Sequence, residues 1–175
     1  MIPKIVHQIY DNNYKDAVDQ TELFCLTNNI EYKMWSNKDI ELLIIDKYPE
    51  FIDLYNICND FIKYIILYEY GGIYINCDFI FVDNLIPYDI FDREYFFVKS
   101  NEGAIYNAII GSKKYNNVLK IILNEIEMSI YKKEKSKYML KRLLKTDKNI
   151  LTNLVERKNE KKKVESYFLD YSSKN

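Results

Sequence analysis

Asn59-Asp60-Phe61-Ile62-Lys63-Tyr64-Ile65-Ile66-Leu67-Tyr68-Glu69-Tyr70-Gly71-Gly72-Ile73-Tyr74-Ile75-Asn76-Cys77-Asp78 decides the fold of this chain. It reads as a buried helix, a two-glycine stop and a strand that carries polar side chains at its far end. Between Phe61 and Tyr70 only Lys63 and Glu69 are charged, so apolar residues run almost all the way round, as in a core helix. Asn59 is the expected N-cap, and Asp60 in the first turn suits the positive end of the helix dipole. Gly71 supplies the left-handed residue that ends the helix, and Gly72 allows a sharp turn into the strand. Alternation along that strand puts Tyr74, Asn76 and Asp78 on one face and Ile73, Ile75 and Cys77 on the other. A carboxylate at the carboxyl end of a strand in an open α/β sheet lies where such sheets bind ligands.

Working outward, the 175 residues fit a single domain with a real core. The sequence is 48% hydrophobic and 29% charged, as in ordinary globular proteins. No apolar run approaches the ~20 residues that span a bilayer, and the N-terminus lacks a basic-then-apolar signal pattern. The expectation is a cytoplasmic protein of bacterial or viral type. Cys25, Cys58 and Cys77 have neither metal nor disulfide spacing and are expected to be reduced, mostly buried thiols. Net charge is −1, yet residues 1–110 carry 8 basic and 18 acidic groups while residues 111–175 carry 17 and 8. Such asymmetry fits an acidic cation-binding half beside a basic flank, or a polar partner on one side.

Before the central stretch, Lys4 to Ile9 reads as a buried parallel strand, Ala17 to Thr27 as a helix and Ile30 to Trp35 as a second strand. Ser36 and Asp39 approximate a capping box for a helix through Ile40, Leu42, Leu43, Ile44 and Ile45. Pro49 opens another helical turn. After Asp78, Phe79 to Val82 continues extended, Tyr95 to Lys99 and Ala104 to Ile110 are strand candidates, and Lys114 to Ile130 is an amphipathic helix. Further helices are expected near Tyr138 to Leu144 and from Lys148 to Val155. The whole is α/β, with 1–111 as the core and 112–175 as a basic helical flank.

The central stretch resembles the S-D-x-x-R-x-x-x-L-x-x-x-G-G-x-Y-x-D-x-D core of DXD-type sugar transferases. These include the yeast-type initiating mannosyltransferases and, more distantly, the glucosyltransferase domains of large clostridial toxins. Ile2-Pro3-Lys4-Ile5-Val6-His7-Gln8-Ile9-Tyr10 is similar to the opening strand of that family, I-P-K-I-I-H-Q-I-W. The resemblance covers roughly residues 2 to 124. Asn76 stands at the first Asp of D-x-D, Lys63 at the Arg and Tyr10 at the Trp.

The resemblance implies a GT-A-like, Rossmann-like nucleotide-binding mixed sheet flanked by helices. It also implies a metal-dependent, retaining transfer of a sugar from a UDP- or GDP-sugar to a glycan, protein or lipid acceptor. Charge builds on the leaving diphosphate, so Mn²⁺ or Mg²⁺ held by oxygen ligands is the implied cofactor. Asp78 would bind it directly, and Asn76 would contact the ribose or a metal-bound water. Asn76 keeps an acceptor oxygen without the charge; a bland strand end is the alternative. Asp60 and Lys63 would meet donor hydroxyls and balance each other, although Lys lacks the two-pronged geometry of Arg. A structural ion pair is the alternative there. The main chain of Gln8, Ile9 and Tyr10 would cradle the base, with Tyr10 offering a stacking face. Tyr74 joins the nucleotide-sugar set, and Asn107 lines the acceptor side or else packs in the core.

His7 reads as a satisfied core histidine and Trp35 as a core anchor. Thr152 is the faintest of matches to a later family motif. The basic run from Lys132 to Lys148 reads as a solvated face, and no nucleic-acid motif accompanies it. A binding or scaffold member of the same fold, without turnover, is the rival to the enzyme.

Overall fold

The computed structural model describes residues 1–56, 59–81, 88–99, 105–132, 154–157, 163–164 and 167–169. Five strands form a mixed sheet in the order β2 (Glu31–Trp35), β1 (Ile5–Ile9), β3 (Gly72–Ile75), β6 (Ile105–Ser112), β5 (Tyr95–Lys99). β1 runs parallel to β2 and β3, whereas β6 is antiparallel to both β3 and β5. Two short strands, β7 (Leu154–Arg157) and β9 (Tyr167–Leu169), continue the sheet beyond β5. β4 (Ile80–Phe81) pairs separately with β8 (Lys163–Val164).

Helices α2 (Asn37–Lys47), α3 (Ile52–Tyr55), α4 (Ile62–Tyr70) and α5 (Asn117–Lys132) cover one face, and α1 (Lys15–Thr27) the other. The alternation in β3 sorts its side chains between these layers. Tyr74 joins the core under α4 and α5, while Ile73 and Ile75 join Phe24, Cys25 and Phe96 on the α1 side. Ile62, Ile65, Ile66 and Leu67 of α4 are completely buried. Each such burial contributes roughly 1.5–3 kcal/mol, which is why the short helix α4 is the pivot of its layer.

The two glycines act as the sequence requires. Gly71 closes α4 with its N–H on the Leu67 carbonyl (2.9 Å) at φ +67°, and Gly72 follows at φ +100°. A Cβ on Gly72 would lie 2.6 Å from both the Ile5 carbonyl oxygen and its Cγ2. The predicted capping box is present, with the Ser36 hydroxyl accepting from Asp39 N–H (3.2 Å) and the Asp39 carboxylate accepting from Ser36 N–H (3.0 Å).

Several expectations are corrected. Asn59 does not cap α4 with its side chain; its main-chain carbonyl accepts from Ile62 N–H (3.1 Å) and Phe61 is the cap residue. β3 ends at Ile75, because Phe79 N–H turns back to the Asn76 carbonyl (3.2 Å) and closes a turn. The helix expected over Lys148 to Val155 is not formed at its end. Leu154 and Val155 pair with Phe97 and Val98 instead, satisfying the otherwise open backbone edge of β5. The described residues after α5 are short strands, so among the described residues α5 is the part of the expected helical flank that is formed. The helix near Tyr138 to Leu144, Cys58, Thr152 and most of the basic run lie outside the described residues.

Candidate functional site

The carboxyl ends of the parallel strands β1 and β3 bring Gln8, Ile9 and Tyr10 beside Asn76, Cys77 and Asp78. Asn76 N–H donates to the Ala108 carbonyl (2.8 Å), extending the β3–β6 pairing by one residue before the turn. Asn76 and Asp78 are half-buried, whereas Cys77 points inward and is buried. A half-buried carboxylate and amide on one turn give two oxygen donors. Mg²⁺ is held in such sites through one or two carboxylates, with waters and substrate phosphates completing its shell. The donor set therefore fits a cation completed by a diphosphate, with one carboxylate fewer than a two-Asp motif supplies. Among the described residues, no three His, Cys, Asp or Glu side chains gather into a self-contained metal cluster.

Across from this turn lies the start of α4. The Lys63 side chain is almost wholly buried, and its Nζ donates to the Asn107 carbonyl on β6 (3.1 Å). The same Nζ is 3.7 Å from Oδ1 of Asp60, whose side chain is 67% exposed. It also sits 5.5 Å from the centre of the Tyr74 ring. Lys63 thus ties α4 to β6 and leaves the Asp60 carboxylate facing solvent. Burial pushes the Tyr74 hydroxyl well above its usual range, and the neighbouring Cys77, Asp60 and Asp78 add to the shift. Asp60, Lys63, Tyr74, Asp78 and the main chain of Asn107 therefore share one neighbourhood.

On the β1 side the predicted residues divide. Tyr10 is exposed, with its N–H donating to the Trp35 carbonyl (2.9 Å). Ile9 is half-buried, and its carbonyl accepts from the Cys77 thiol (2.7 Å). Gln8 is completely buried; its Oε1 accepts from the Tyr32 hydroxyl (2.9 Å) and its Nε2 donates to the Asn76 carbonyl (3.4 Å). The linkage through Tyr32 and Gln8 was not among the predicted contacts. Its one sequence signal is a polar amide inside an apolar strand, which must find partners once buried.

His7 stands apart from this site. It is completely buried, its Nε2–H donates to the Gly71 carbonyl (2.8 Å), and its Nδ1 accepts from Trp35 Nε1–H (3.2 Å). Those bonds fix the neutral imidazole, and burial lowers its pKa to about 4 against the pull of the Gly71 bond. With both ring nitrogens engaged, His7 forms no pair with Cys77. Burial raises the Cys77 thiol to about 11, so it is protonated at neutral pH. Cys25 is likewise a buried free thiol.

Residues 5–97 match the family described as a glycosyltransferase sugar-binding region containing a DXD motif. Inositol phosphoceramide mannosyltransferase 3 of Schizosaccharomyces pombe is 30% identical over 136 residues, covering 70% of this chain and 37% of that protein. Inositol phosphoceramide mannosyltransferase 2 of the same yeast is 27% identical over 141 residues, covering 73% and 39%. An uncharacterized glycosyltransferase of Acanthamoeba polyphaga mimivirus is 28% identical over 142 residues, covering 72% and 56%. The chain thus spans about two fifths of the length of the yeast relatives. With more than half of its residues inside the matched region, the chain belongs to the DXD-containing glycosyltransferase family.

Proposed function

We propose that this chain transfers a sugar from a nucleotide-diphosphate sugar to an acceptor hydroxyl, with metal assistance and retention at the anomeric carbon, on a GT-A-like fold. The observation that carries this reading is the Asn76–Asp78 turn set against the Asp60–Lys63 pair, inside the region that matches the family. Asp78 and Asn76 hold a divalent cation, Mn²⁺ or Mg²⁺, through their side-chain oxygens. Bound there, the cation supplies positive charge for the leaving diphosphate.

Asp60 accepts hydrogen bonds from donor hydroxyls, and Lys63 fixes Asp60 while offsetting its charge. The Tyr10 ring stacks on the base, beside the main chain of Gln8 and Ile9. Asn107 walls the sugar side, and the buried Tyr74 ring backs Lys63 from the core. The bond from the anomeric carbon to the phosphate oxygen breaks as the acceptor oxygen bonds on the same face. The acceptor proton passes to the departing phosphate oxygen, so no separate base is needed.

The relatives' names point to a mannosyl donor as the first to test, and to a lipid as the first of the acceptor classes. The test combines a panel of UDP- and GDP-sugars with Mn²⁺, read by nucleotide release, thermal shift and calorimetry. Binding of nucleoside diphosphate is expected to strengthen with Mn²⁺ and to stabilise the fold in proportion. Asp78→Ala is expected to abolish that strengthening; equal affinity in chelator and Mn²⁺ overturns the reading. The second reading, a binding module without turnover, draws on Asn76 in place of an Asp. A Mn²⁺-dependent shift without nucleotide release favours it.

A further inference from the structure

The main-chain register between β1 and β3 reaches Val6 with Ile73 and His7 with Tyr74 and goes no further. Beyond it, two side chains take over the pairing in opposite directions. Gln8 on β1 reaches the main-chain carbonyl of Asn76 (3.4 Å), and Cys77 on the turn reaches the main-chain carbonyl of Ile9 (2.7 Å). Both side chains are buried, at 0% and 6% exposure, so neither bond competes with bulk water. The Tyr32 hydroxyl donates to Gln8 Oε1 (2.9 Å), which orients the amide so that its NH₂ faces Asn76. The Tyr32 hydroxyl and the Cys77 thiol are thus both placed as donors, each on one main-chain or amide oxygen. The Asn76 carbonyl that Gln8 holds is also the acceptor that closes the turn from Phe79 N–H (3.2 Å).

We infer that Gln8 and Cys77 are positioning residues that clamp the Asn76–Asp78 turn to the end of β1 and so set where its two cation-binding side chains point. The inference rests on the cation site proposed above. Neither residue touches substrate or cation through its side chain. Gln8 acts through the main chain of Asn76, and Cys77 through the path of the chain between Asn76 and Asp78. The middle residue of the motif is therefore not interchangeable. It must be small enough to be buried beside β1 and able to donate one hydrogen bond. The bond from Gln8, at 3.4 Å, is the longer arm, and Tyr32 fixes its direction.

The test uses the intact chain with Gln8→Met, Cys77→Val and Tyr32→Phe, each close in shape and lacking one polar group, and Cys77→Ser, which restores a donor. Two readouts are taken: amide hydrogen exchange without metal, and the Mn²⁺ concentration that half-saturates nucleoside diphosphate binding. Exchange at Asn76 and Phe79 is expected to accelerate in Gln8→Met and Cys77→Val while Ile73 and Ile75 keep their protection. Half-saturation is expected to move up by about tenfold, as for residues that orient metal ligands, and Cys77→Ser is expected to restore most of it. Tyr32→Phe removes one half-exposed hydroxyl and serves where a core substitution unfolds the chain; it is expected to give a smaller shift in the same direction. Parent-like exchange at Asn76 and Phe79 in every folded variant overturns the inference. So does a Mn²⁺ half-saturation equal to that of a parent that does respond to Mn²⁺. A parent with no Mn²⁺ response overturns the proposed cation site itself, and the inference with it.

Discussion

The two ends of β3 are built to opposite specifications. At its start, Gly71 and Gly72 turn at positive φ against Pro3, Ile5 and His7 with no room for a Cβ. His7 there spends both ring nitrogens on Gly71 and Trp35, and of these groups only Pro3 is not buried. At its finish, four residues later, Asn76 and Asp78 are half-buried and the turn hangs on β1 by two side-chain bonds. One end tolerates nothing and fixes the fold; the other leaves polar groups accessible at the cost of a lighter hold. The difference shows why a short strand suffices: its rigid end locates the site, and its looser end presents it.

The largest effect should come from breaking the rigid end. Gly72→Ala places a Cβ 2.6 Å from the Ile5 main chain at a φ that L-residues avoid, and is expected to cost roughly 3–5 kcal/mol in urea unfolding. A neutral result would show that this turn relaxes freely and that the two ends are not different in kind.

Acid should weaken the same end. His7 holds a pKa of about 4 when folded against 6.5 as the reference value, so the unfolded chain takes up its proton first as pH falls. The stability that neutral His7 contributes is present above pH 6.5 and is lost progressively until the pH has passed about 4. The loss amounts to about 3 kcal/mol at roughly 1.4 kcal/mol per pKa unit. Its physical content is the cost of charging an imidazole buried away from water, with the Lys33 ammonium adding repulsion. Urea unfolding across that range checks it, with His7→Gln expected to flatten the profile.

At the looser end, Asn76→Asp adds charge with little change in shape. It is expected to tighten Mn²⁺ binding by about 1–3 kcal/mol at an effective dielectric near 20, and to lower the melting temperature in chelator. A variant that gains neither Mn²⁺-dependent stabilisation nor donor hydrolysis would falsify the placement of position 76 toward the cation. The smallest effect on stability belongs to Asp60→Asn. Its partner Lys63 keeps the Asn107 carbonyl, and Asp60 is mostly exposed, so stability should change by less than about 1 kcal/mol. Donor binding should nevertheless weaken clearly; unchanged binding with lost stability would make the pair structural.

What the sequence disclosed follows the same divide. The rigid end was legible because a helix apolar on nearly every side followed by two glycines admits few conformations, and a lone histidine inside a strand has to be satisfied. The end of β3 was misjudged because Tyr74, Asn76 and Asp78 keep a period of two while a main-chain bond from Phe79 to Asn76 has already turned the chain. Side-chain periodicity carries no trace of such a bond. The sequence motif gives Gln8 a role toward the base through its main chain, but its side-chain partners Tyr32 and Asn76 lie 24 and 68 residues away. Contacts at that separation follow from sheet order, which a linear reading does not supply. Near Val155, the attraction of the open β5 edge outweighed the local helical pattern.

Trp35, the chain's single tryptophan, lies where the rigid end can be watched with light. Its indole N–H is held by His7, its ring packs 5.1 Å from Tyr70, and the Lys33 ammonium sits 4.0 Å above its face. Excited selectively, to the red of the tyrosine absorption, the indole emission therefore comes from one ring in one environment, with a titrating imidazole as its immediate neighbour. The intrinsic fluorescence is a built-in gauge of the Gly71–Gly72 turn: protonation of His7 changes its intensity, and unfolding shifts it to the red as water reaches the indole.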